Sequence, residues 1–485
     1  MTQTKRRWTL MVYMAGDNGK VFKDGTQLMF PMASQGWEDI RKMERVGSTD
    51  AVTVLVQFDT LEDRENTYRI YISPAQENSK TENNTQENQE NLKPPRNARR
   101  KGEEEPEVNY TENYINRSTP LKGTTYIRSQ IENIPEQNTG DPQSLRDFIV
   151  WGIENYPAEN YAVILWNHGT GWKEDDIYEF ARERGVDFQA TQNEVRSLTR
   201  NNRRLSRAFF LSSVTEVLQL QDEESRAIAF DDSSMDFLDN AKLQQAFQEA
   251  EEKTGQKVNL IGMDACLMSM VEVVYQLRTN TEYIVSSQEV EPMDGWPYSE
   301  ILQHLTTHPE TTPAALAKII VQEYGRYYEE QNNVLRGGGA EITQSATNLA
   351  MIDKLAKLVS RLAATLRQSL MENDIYAKVA LFDISPLRFK DKDFVDLYDY
   401  VKSFRDNYSG SNSELIVVLD ELIDFIKFEY EPQLILANVA SGRRVSRAQG
   451  LSIYLPLEGF SPFYDRSEFA SCGWGDFIRF CNKVS

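Results

Sequence analysis

Short apolar runs alternate with helical patterns along this chain, and that alternation limits its possible folds more than any other feature. Runs that are rich in β-branched residues and bounded by turn residues predict buried strands. They are Thr9–Tyr13, Val52–Phe58, Ala162–Trp166, Val258–Ile261 and Tyr283–Ser286. Amphipathic stretches of helical period lie between them. This order predicts an α/β fold, in which a mostly parallel sheet is sandwiched by helices.

Several helix boundaries are also marked in the sequence. The amphipathic stretch WEDIRKMERV ends at Gly47 and FLDNAKLQQAFQEAEEKT ends at Gly255, and glycine most readily adopts the left-handed conformation that closes a helix. Asp141 has the side chain of an N-cap, and Pro142 suits a first helical turn. We expect a further helix to begin directly after the predicted strand that precedes Cys266, in CLMSMVEVVYQLR.

Two polar segments interrupt this order. Residues from about 73 to 119 repeat Glu, Asn, Gln and Lys, with too few apolar side chains to form a core of their own. Residues from about 173 to 225 contain the arginine-rich run RSLTRNNRRLSR. We interpret both as insertions in the connections of a sheet domain at residues 1–310. A mainly helical C-terminal region at residues 311–485, with a late strand at 450–455, is expected to follow.

The charge balance limits the partners of the chain. Its formal net charge is -21 at pH 7, which argues against non-specific binding to nucleic acid or to an anionic membrane, although an acidic surface also serves solubility alone. The apolar run at residues 8–16 is too short for a signal peptide, and no apolar stretch reaches membrane-spanning length. Three cysteines cannot form a disulfide framework. The sequence therefore predicts a cytoplasmic protein without nucleic-acid or membrane partners.

A histidine and a cysteine follow two of the predicted strands. His168 and Gly169 come directly after YAVILWN, and Cys266 comes directly after VNLIGMDA. The carboxyl ends of parallel strands meet at one edge of a sheet, so we expect His168 and Cys266 to line one crevice. A thiolate beside an imidazole is the minimal apparatus for acyl transfer, in which the sulfur attacks a carbonyl and the imidazole protonates the leaving amine. A helix N-terminus at Cys266 would favour the thiolate.

The same positions offer backbone hydrogen bonds for the reaction. We expect the amides of Gly169 and Cys266 to hold the developing oxyanion. A lone cysteine at a strand end is more often a small buried apolar residue, so the pair with His168, rather than either residue, indicates catalysis. His304 and His308 lie four residues apart but lack the glutamate of a zinc-protease helix, so we predict no metal site.

Several segments, in order along the chain, are similar to those of one known family. VYMAGDN is similar to the family's first strand and acidic turn, IRKMERVGSTDAVTVLVQFD to its next helix and strand, and YAVILWNHGTGW to the stretch that ends at its catalytic histidine. GMDACLMSMVEV is similar to its nucleophile segment, SSQEVEPMDGWPY to the strand and loop behind its pocket, and GLSIYLP with WGDFIRF to its C-terminal signatures. By these segments the chain resembles the clostripain family of cysteine peptidases. The resemblance covers most of the chain outside the two insertions and implies the caspase–haemoglobinase fold.

The resemblance also implies roles for particular residues. His168 would be the catalytic base and acid and Cys266 the nucleophile, which are the residues that the strand positions select. The family typically cleaves after Arg or Lys, so substrates are expected to be proteins or peptides with Arg or Lys at P1. Asp264 matches the family's acidic position near the nucleophile, and Asp294 lies in the loop that would border an acidic S1 pocket. A structural turn or helix cap is the alternative role for Asp264, and a plain turn for Asp294.

Members of the family commonly mature by a cut between the histidine and the cysteine. Here that connection offers Arg196, Arg200, Arg203, Arg204 and Arg207. The resemblance therefore implies a zymogen, which is activated by its own cut or by an upstream protease; insertions that act only as spacers are the alternative. We expect catalysis without a cofactor. Calcium dependence occurs in parts of the family, and the sequence leaves it open.

Two other functions stay open on the sequence alone. A catalytically silent caspase-like scaffold would act by binding other proteins, although the presence of both His168 and Cys266 argues against it. A different cysteine hydrolase, such as an amidase, would share the two residues but cut no peptide.

Overall fold

The computed structural model describes residues 5–17, 22–23, 26–27, 33–60, 63, 65–75, 127–167, 228–231, 236–292, 294–334, 341–427, 431–457, 459–461 and 464–484. Its strands are β1 (Arg6–Gly16), β2 (Phe22–Lys23), β3 (Thr26–Gln27), β4 (Val52–Thr60), β5 (Asn66–Tyr71), β6 (Gln130–Pro135), β7 (Ala158–Trp166), β8 (Ile228–Asp231), β9 (Asp236–Leu238), β10 (Leu260–Asp264), β11 (Tyr283–Ser286), β12 (Ile342–Asn348), β13 (Phe394–Asp396), β14 (Ile435–Ser441) and β15 (Ser452–Tyr454). Its α-helices are α1 (Ala33–Val46), α2 (Pro142–Asn155), α3 (Asn240–Thr254), α4 (Val271–Gln276), α5 (Tyr298–Thr307), α6 (Pro313–Val334), α7 (Ile352–Met371), α8 (Ile375–Asp383), α9 (Leu397–Asn407), α10 (Ser413–Ile426) and α11 (Trp474–Val484).

One large sheet organises the described part of the chain. Its nine strands lie in the order β14-β12-β11-β10-β7-β1-β4-β5-β6. The central run β11-β10-β7-β1-β4 is parallel, and antiparallel strands complete both edges. The predicted α/β class with a mostly parallel sheet is therefore confirmed.

Helices cover both faces of this sheet. On one face, Phe148 of α2 and Phe247 of α3 join the core that contains Met11 of β1. On the other face, Trp37 of α1 packs edge-on against Phe58 of β4, with ring centroids 4.9 Å apart. Because both faces are covered, the central strands are apolar at successive positions and read as continuous runs in the sequence.

The local signals in the sequence agree with most of the observed boundaries. The predicted run Tyr283–Ser286 coincides with β11, whereas β10 begins at Leu260, two residues later than predicted. Asp141 caps α2 by accepting a hydrogen bond from the amide of Gln143 at 2.9 Å. Gly255, which has a φ of 65°, closes α3. These caps are confirmed because their geometry depends on residues only two to four positions away.

The C-terminal part of the chain is rich in helices, as predicted, but it also contributes strands to the central sheet. β12 pairs with β11, and β14 pairs with β12, both antiparallel. The predicted late strand at 450–455 appears as the shorter β15, which pairs with β13 in a separate two-stranded sheet. The domain boundary near residue 310 and the cytoplasmic location stay predictions. None of the described helices is long and apolar enough to cross a membrane.

Candidate active site

The carboxyl ends of the central strands lie level with one another. Asp264 of β10 pairs with Trp166 of β7, and Trp166 pairs in turn with Met14 of β1. Asn167, the residue after β7, donates a hydrogen bond from Nδ2 to the carbonyl of Ala15 at 2.8 Å, which ties the ends of β7 and β1 together. Cys266 follows β10 at the same edge and is fully buried.

The residues that follow Asn167 lie outside the described part of the chain. They include His168 and Gly169, the predicted base and the predicted donor of an oxyanion hydrogen bond, and all five arginines of the predicted processing segment. The five are Arg196, Arg200, Arg203, Arg204 and Arg207. The pairing of His168 with Cys266, and the role of each of these residues, stay predictions.

Cys266 lies in a tight loop between β10 and α4. The next residue, Leu267, has a φ of 58°, in the left-handed region that a bulky side chain rarely occupies. Such a conformation costs about 1–3 kcal/mol and persists only where surrounding contacts fix it. Two backbone hydrogen bonds do so here, from Leu267 to the carbonyl of Glu289 at 3.4 Å and from Ser269 to that of Ser287 at 2.9 Å. The nucleophile candidate is thus held by the segment that follows β11.

The prediction that a helix begins at Cys266 is wrong. The helix α4 begins only at Val271, because the intervening residues bond to the segment after β11 and, at Met270, bridge to Ser452 of β15. The helix dipole therefore does not act directly on the sulfur. Instead, the backbone amide of Glu291 donates a hydrogen bond to Sγ of Cys266 at 3.3 Å. A donor at this place favours the thiolate form of the side chain.

The other two cysteines, Cys472 and Cys481, are half-buried, and the pKa of each thiol is raised. Burial raises the pKa of Cys481 to about 12. Burial also raises the pKa of Cys472 above its usual value. Neither residue follows a strand of the central sheet: Cys472 ends a short 3₁₀-helix and Cys481 lies in α11.

Two buried carboxylates flank Trp296 next to Cys266. Oδ2 of Asp264 accepts hydrogen bonds from the hydroxyl of Tyr298 at 2.9 Å and from the amide of Trp296 at 3.4 Å. Oε1 of Glu291 accepts from Nε2 of Gln344 at 3.1 Å and from Nε1 of Trp296 at 3.5 Å. Both side chains are 0% exposed. These two acidic side chains are therefore in the interior of the candidate site, beside Cys266.

A buried tyrosine lies within the electrostatic range of both carboxylates. Burial raises the pKa of Tyr324 well above its usual value, and electrostatic interactions with Glu291, Tyr328, Asp264 and Cys266 act in the same direction. The Tyr324 hydroxyl has no hydrogen-bond partner among the described residues. It is therefore a donor that a bound group could use.

Asp294 lies on the loop between Glu291 and Trp296. Its side chain is exposed, whereas its carbonyl accepts a hydrogen bond from Nζ of Lys42 at 2.5 Å. The carbonyl of the next residue, Gly295, accepts from the hydroxyl of Tyr328 at 2.8 Å. The loop is thus fixed through its backbone, and a direct role for the Asp294 carboxylate stays a prediction.

Sequence reasoning assigned no role to Glu291 or Tyr324. Glu291 lies in SSQEVEPMDGWPY beside other acidic residues, and nothing in the spacing distinguishes it from them. Tyr324 is one of several tyrosines on α6. Only the pairing of β10 with β11 and the packing of α6 bring these residues to Cys266.

One group of acidic side chains has the geometry to hold a cation. Asp17, Asp59 and Glu136 each place a carboxylate oxygen within 4.8 Å of the others. Asp17 follows β1 and Asp59 lies near the end of β4, so the group is at the carboxyl edge of the sheet. Carboxylate oxygens are the ligands that calcium prefers. No other such group of acidic, histidine or cysteine side chains occurs among the residues that the structure describes.

Comparison with known proteins assigns the family. The model of the clostripain family matches residues 109–203 and 216–471. The chain belongs to the clostripain family. It is 29% identical to clostripain of Hathewaya histolytica over 176 residues, which are 35% of this chain and 25% of that protein. The match thus spans about a quarter of the length of this curated relative.

Solved structures of the same kind share the fold. A secreted C11 cysteine protease from Bacteroides thetaiotaomicron, in complex with an irreversible peptide inhibitor, is 17% identical and has a TM-score of 0.53, with 96% of this chain and 99% of that chain covered. An inactive zymogen C11 protease from Parabacteroides distasonis is 18% identical and has a TM-score of 0.54, with 97% and 99% covered. At these identities the comparison establishes the fold of this clostripain-family chain and leaves its substrates to chemical argument.

Proposed function

We propose that this chain is a cysteine endopeptidase in which Cys266 is the nucleophile and His168 the general base and acid. One observation carries the proposal: Cys266 is buried at the carboxyl end of a central parallel strand, in a strained loop, with its sulfur hydrogen-bonded by an amide. The neighbouring strand β7 ends two residues before His168. Membership of the clostripain family supports the same assignment.

The proposed reaction is acyl transfer to sulfur and then to water. The thiolate of Cys266 attacks the carbonyl carbon of the scissile peptide bond, and the amides of Cys266 and Gly169 hold the negative oxygen. His168 gives its proton to the leaving amine, which breaks the C–N bond and leaves an acyl-enzyme. Water, deprotonated by His168, then releases the new carboxyl group and restores the thiol. No step requires a cofactor.

We further propose that the substrate side chain at P1 is Arg or Lys. Asp264 and Glu291 place two carboxylates beside Cys266, and both are removed from solvent. A guanidinium or ammonium group would compensate this charge, whereas an apolar P1 side chain would leave it uncompensated. The exposed Asp294 would add negative potential at the entrance.

Activation by a cut in the arginine-rich connection completes the proposal. The connection leaves the strand of His168, so a cut there would change the immediate surroundings of the catalytic residues. Arg196, Arg200, Arg203, Arg204 and Arg207 would suit a protease with the proposed specificity, acting on itself, and equally an upstream protease of the same specificity.

Fluorogenic peptides with Arg, Lys, Asp or Leu at P1 test the function. Cys266→Ala should abolish turnover of the Arg peptide and His168→Ala should lower it by about 10³-fold, while Cys472→Ala and Cys481→Ala keep it. Full activity in Cys266→Ala would contradict the mechanism.

The specificity has its own comparison. Asp264→Asn should lower kcat/KM for the Arg peptide roughly 100-fold, because it removes one partner of a desolvated charge pair, and should barely change the slower cleavage of the Leu peptide. Glu291→Gln should act in the same direction. Equal losses for both peptides would assign these carboxylates a structural role, and preference for Asp at P1 would refute the acidic pocket.

A further inference from the structure

Lys42 of α1 makes two polar contacts near the candidate site, one with Asp39 of the same helix and one with the loop that carries Asp294. Its Nζ lies 2.7 Å from Oδ1 of Asp39 and 2.5 Å from the carbonyl oxygen of Asp294. The Lys42 side chain is 15% exposed and that of Asp39 is 0% exposed. An exposed pair at this helical spacing would be an ordinary surface interaction, but this one is largely removed from water.

The partner of Lys42 is bound to the strand of the predicted base. The second carboxylate oxygen of Asp39, Oδ2, accepts a hydrogen bond from Nε1 of Trp166 at 2.8 Å. Trp166 is the last residue of β7 and is itself buried. The ion pair therefore connects α1 to the point from which the chain continues to His168.

The other contact of Lys42 fixes the loop that faces Cys266. This loop, called loop 291–296 for its described residues 291–292 and 294–296, donates a hydrogen bond from the amide of Glu291 to Sγ of Cys266 and another from the amide of Trp296 to Asp264. The carbonyl of Asp294 lies at the turn between these two amides and accepts a hydrogen bond from the ammonium group of Lys42. A shift of this carbonyl would move both amides, since they are only two or three residues away.

Lys42 is charged at every pH at which a peptidase of this kind would work. Burial alone lowers the pKa of Lys42, but Asp39 outweighs that effect, with further contributions from Tyr327 and Asp264, so the pKa lies above its usual value. The charge of Lys42 is compensated by its two hydrogen-bond partners, the carboxylate of Asp39 and the carbonyl of Asp294. A buried ion pair of this kind contributes geometry more than net stability.

We propose that Lys42 and Asp39 are positioning residues of the peptidase site: together they hold loop 291–296 against the end of β7 and so set the hydrogen bond from Glu291 to Cys266. The inference rests on the proposed function for its link to turnover. The thiol chemistry that it predicts is measurable without any substrate.

The test follows the alkylation of Cys266 by iodoacetamide as a function of pH, together with kcat/KM for the Arg peptide. The variants are Lys42→Met, Asp39→Asn and the conservative Lys42→Arg. The control is Lys427→Met, which removes an exposed Lys–Asp pair of the same spacing, with Asp424 at 3.1 Å. Melting temperatures report on folding.

We expect Lys42→Met and Asp39→Asn each to raise the pH midpoint of alkylation by about one unit, because one hydrogen bond to the thiolate changes its population about tenfold. Both should lower kcat/KM about tenfold. Lys42→Arg should stay within about threefold of the wild type, and Lys427→Met should change neither quantity.

Three results would overturn the inference. Opposite shifts of the alkylation midpoint in Lys42→Met and Asp39→Asn would mean that charge alone acts on the thiol, since one variant removes a positive and the other a negative charge. Unchanged midpoints with lowered melting temperatures would mean a purely structural role, and a midpoint shift of the same size in Lys427→Met would mean a non-specific effect. If the wild type cuts no peptide but Lys42→Met and Asp39→Asn still shift the midpoint as expected, the proposed function alone would be refuted.

Discussion

Replacing Glu272 by glutamine should stabilise this protein at pH 8 far more than at pH 5. Glu272 lies on α4, directly after the loop that contains Cys266, and is 1% exposed. Its Oε1 accepts hydrogen bonds from the amide of Tyr454 at 3.0 Å and from the hydroxyl of Tyr464 at 3.1 Å. Among the described residues, no cation contributes to its interactions and Oε2 has no hydrogen-bond partner. Ionisation of this carboxyl group is therefore costly in the folded state.

The size of the effect follows from the pKa. Burial raises the pKa of Glu272 from 4.5 to about 7, against the opposing effect of its hydrogen bonds. Between these two values the folded state binds more protons than the unfolded state, so stability falls as the pH rises and the full penalty applies above pH 7. The penalty in the free energy of unfolding is about 0.8 kcal/mol at pH 5 and about 3.3 kcal/mol at pH 8. Glutamine, which does not titrate, should remove it.

Equilibrium urea unfolding at both pH values provides the measurement. The difference in free energy of unfolding between Glu272→Gln and the wild type should be about 2.5 kcal/mol larger at pH 8 than at pH 5. Constant costs of the amide group cancel in this comparison. Glu252→Gln, at an exposed position on α3, is the matched control and should show no such difference. A pH-independent effect of Glu272→Gln would refute the reasoning, because it would mean that the buried carboxyl group ionises as readily as in the unfolded chain.

Three further predictions concern the candidate site. Gly262→Val should lower kcat/KM for an Arg peptide at least about tenfold, because a Cβ at this position would lie 2.6 Å from Ile164 and 2.8 Å from Trp296. Gly255→Ala is the control: its backbone is strained for alanine but open space surrounds it, so it should lower stability by about 1 kcal/mol and leave kcat/KM unchanged. Changing Arg196, Arg200, Arg203, Arg204 and Arg207 together to Ala should leave a single, poorly active polypeptide on a denaturing gel, whereas a fully active wild type that stays uncut would show that no maturation cut is needed. Activity in excess EGTA should stay within about twofold of that in calcium, and a loss that calcium restores would point to Asp17, Asp59 and Glu136 as its ligands.

The sequence predicted no strand at the position of β12, and the structure shows the physical reason. β12 carries the polar sequence ITQSATN, and its Thr343, Gln344 and Ser345 are all buried. These side chains make hydrogen bonds within the sheet and to the loop that contains Cys266, as Ser345 does with Ser269 at 3.0 Å. No apolar run marks such a strand, so its place in the central sheet could not be read from the sequence.

The sequence by itself determined the α/β class, most central strands, the caps at Asp141 and Gly255, and the selection of Cys266 as a nucleophile candidate. Each of these depends on residues a few positions apart, through side-chain period, backbone preference or position at a strand end. Only the tertiary structure decided that α4 begins after the loop, that Glu291 donates to the sulfur, and that Lys42 holds the same loop. Those contacts join residues between 18 and 252 positions apart, from Ser269 and Ser287 to Lys42 and Asp294. Because a charged or polar side chain has no preferred partner until the sheet and its helices have packed, the sequence could supply these groups but not their pairing.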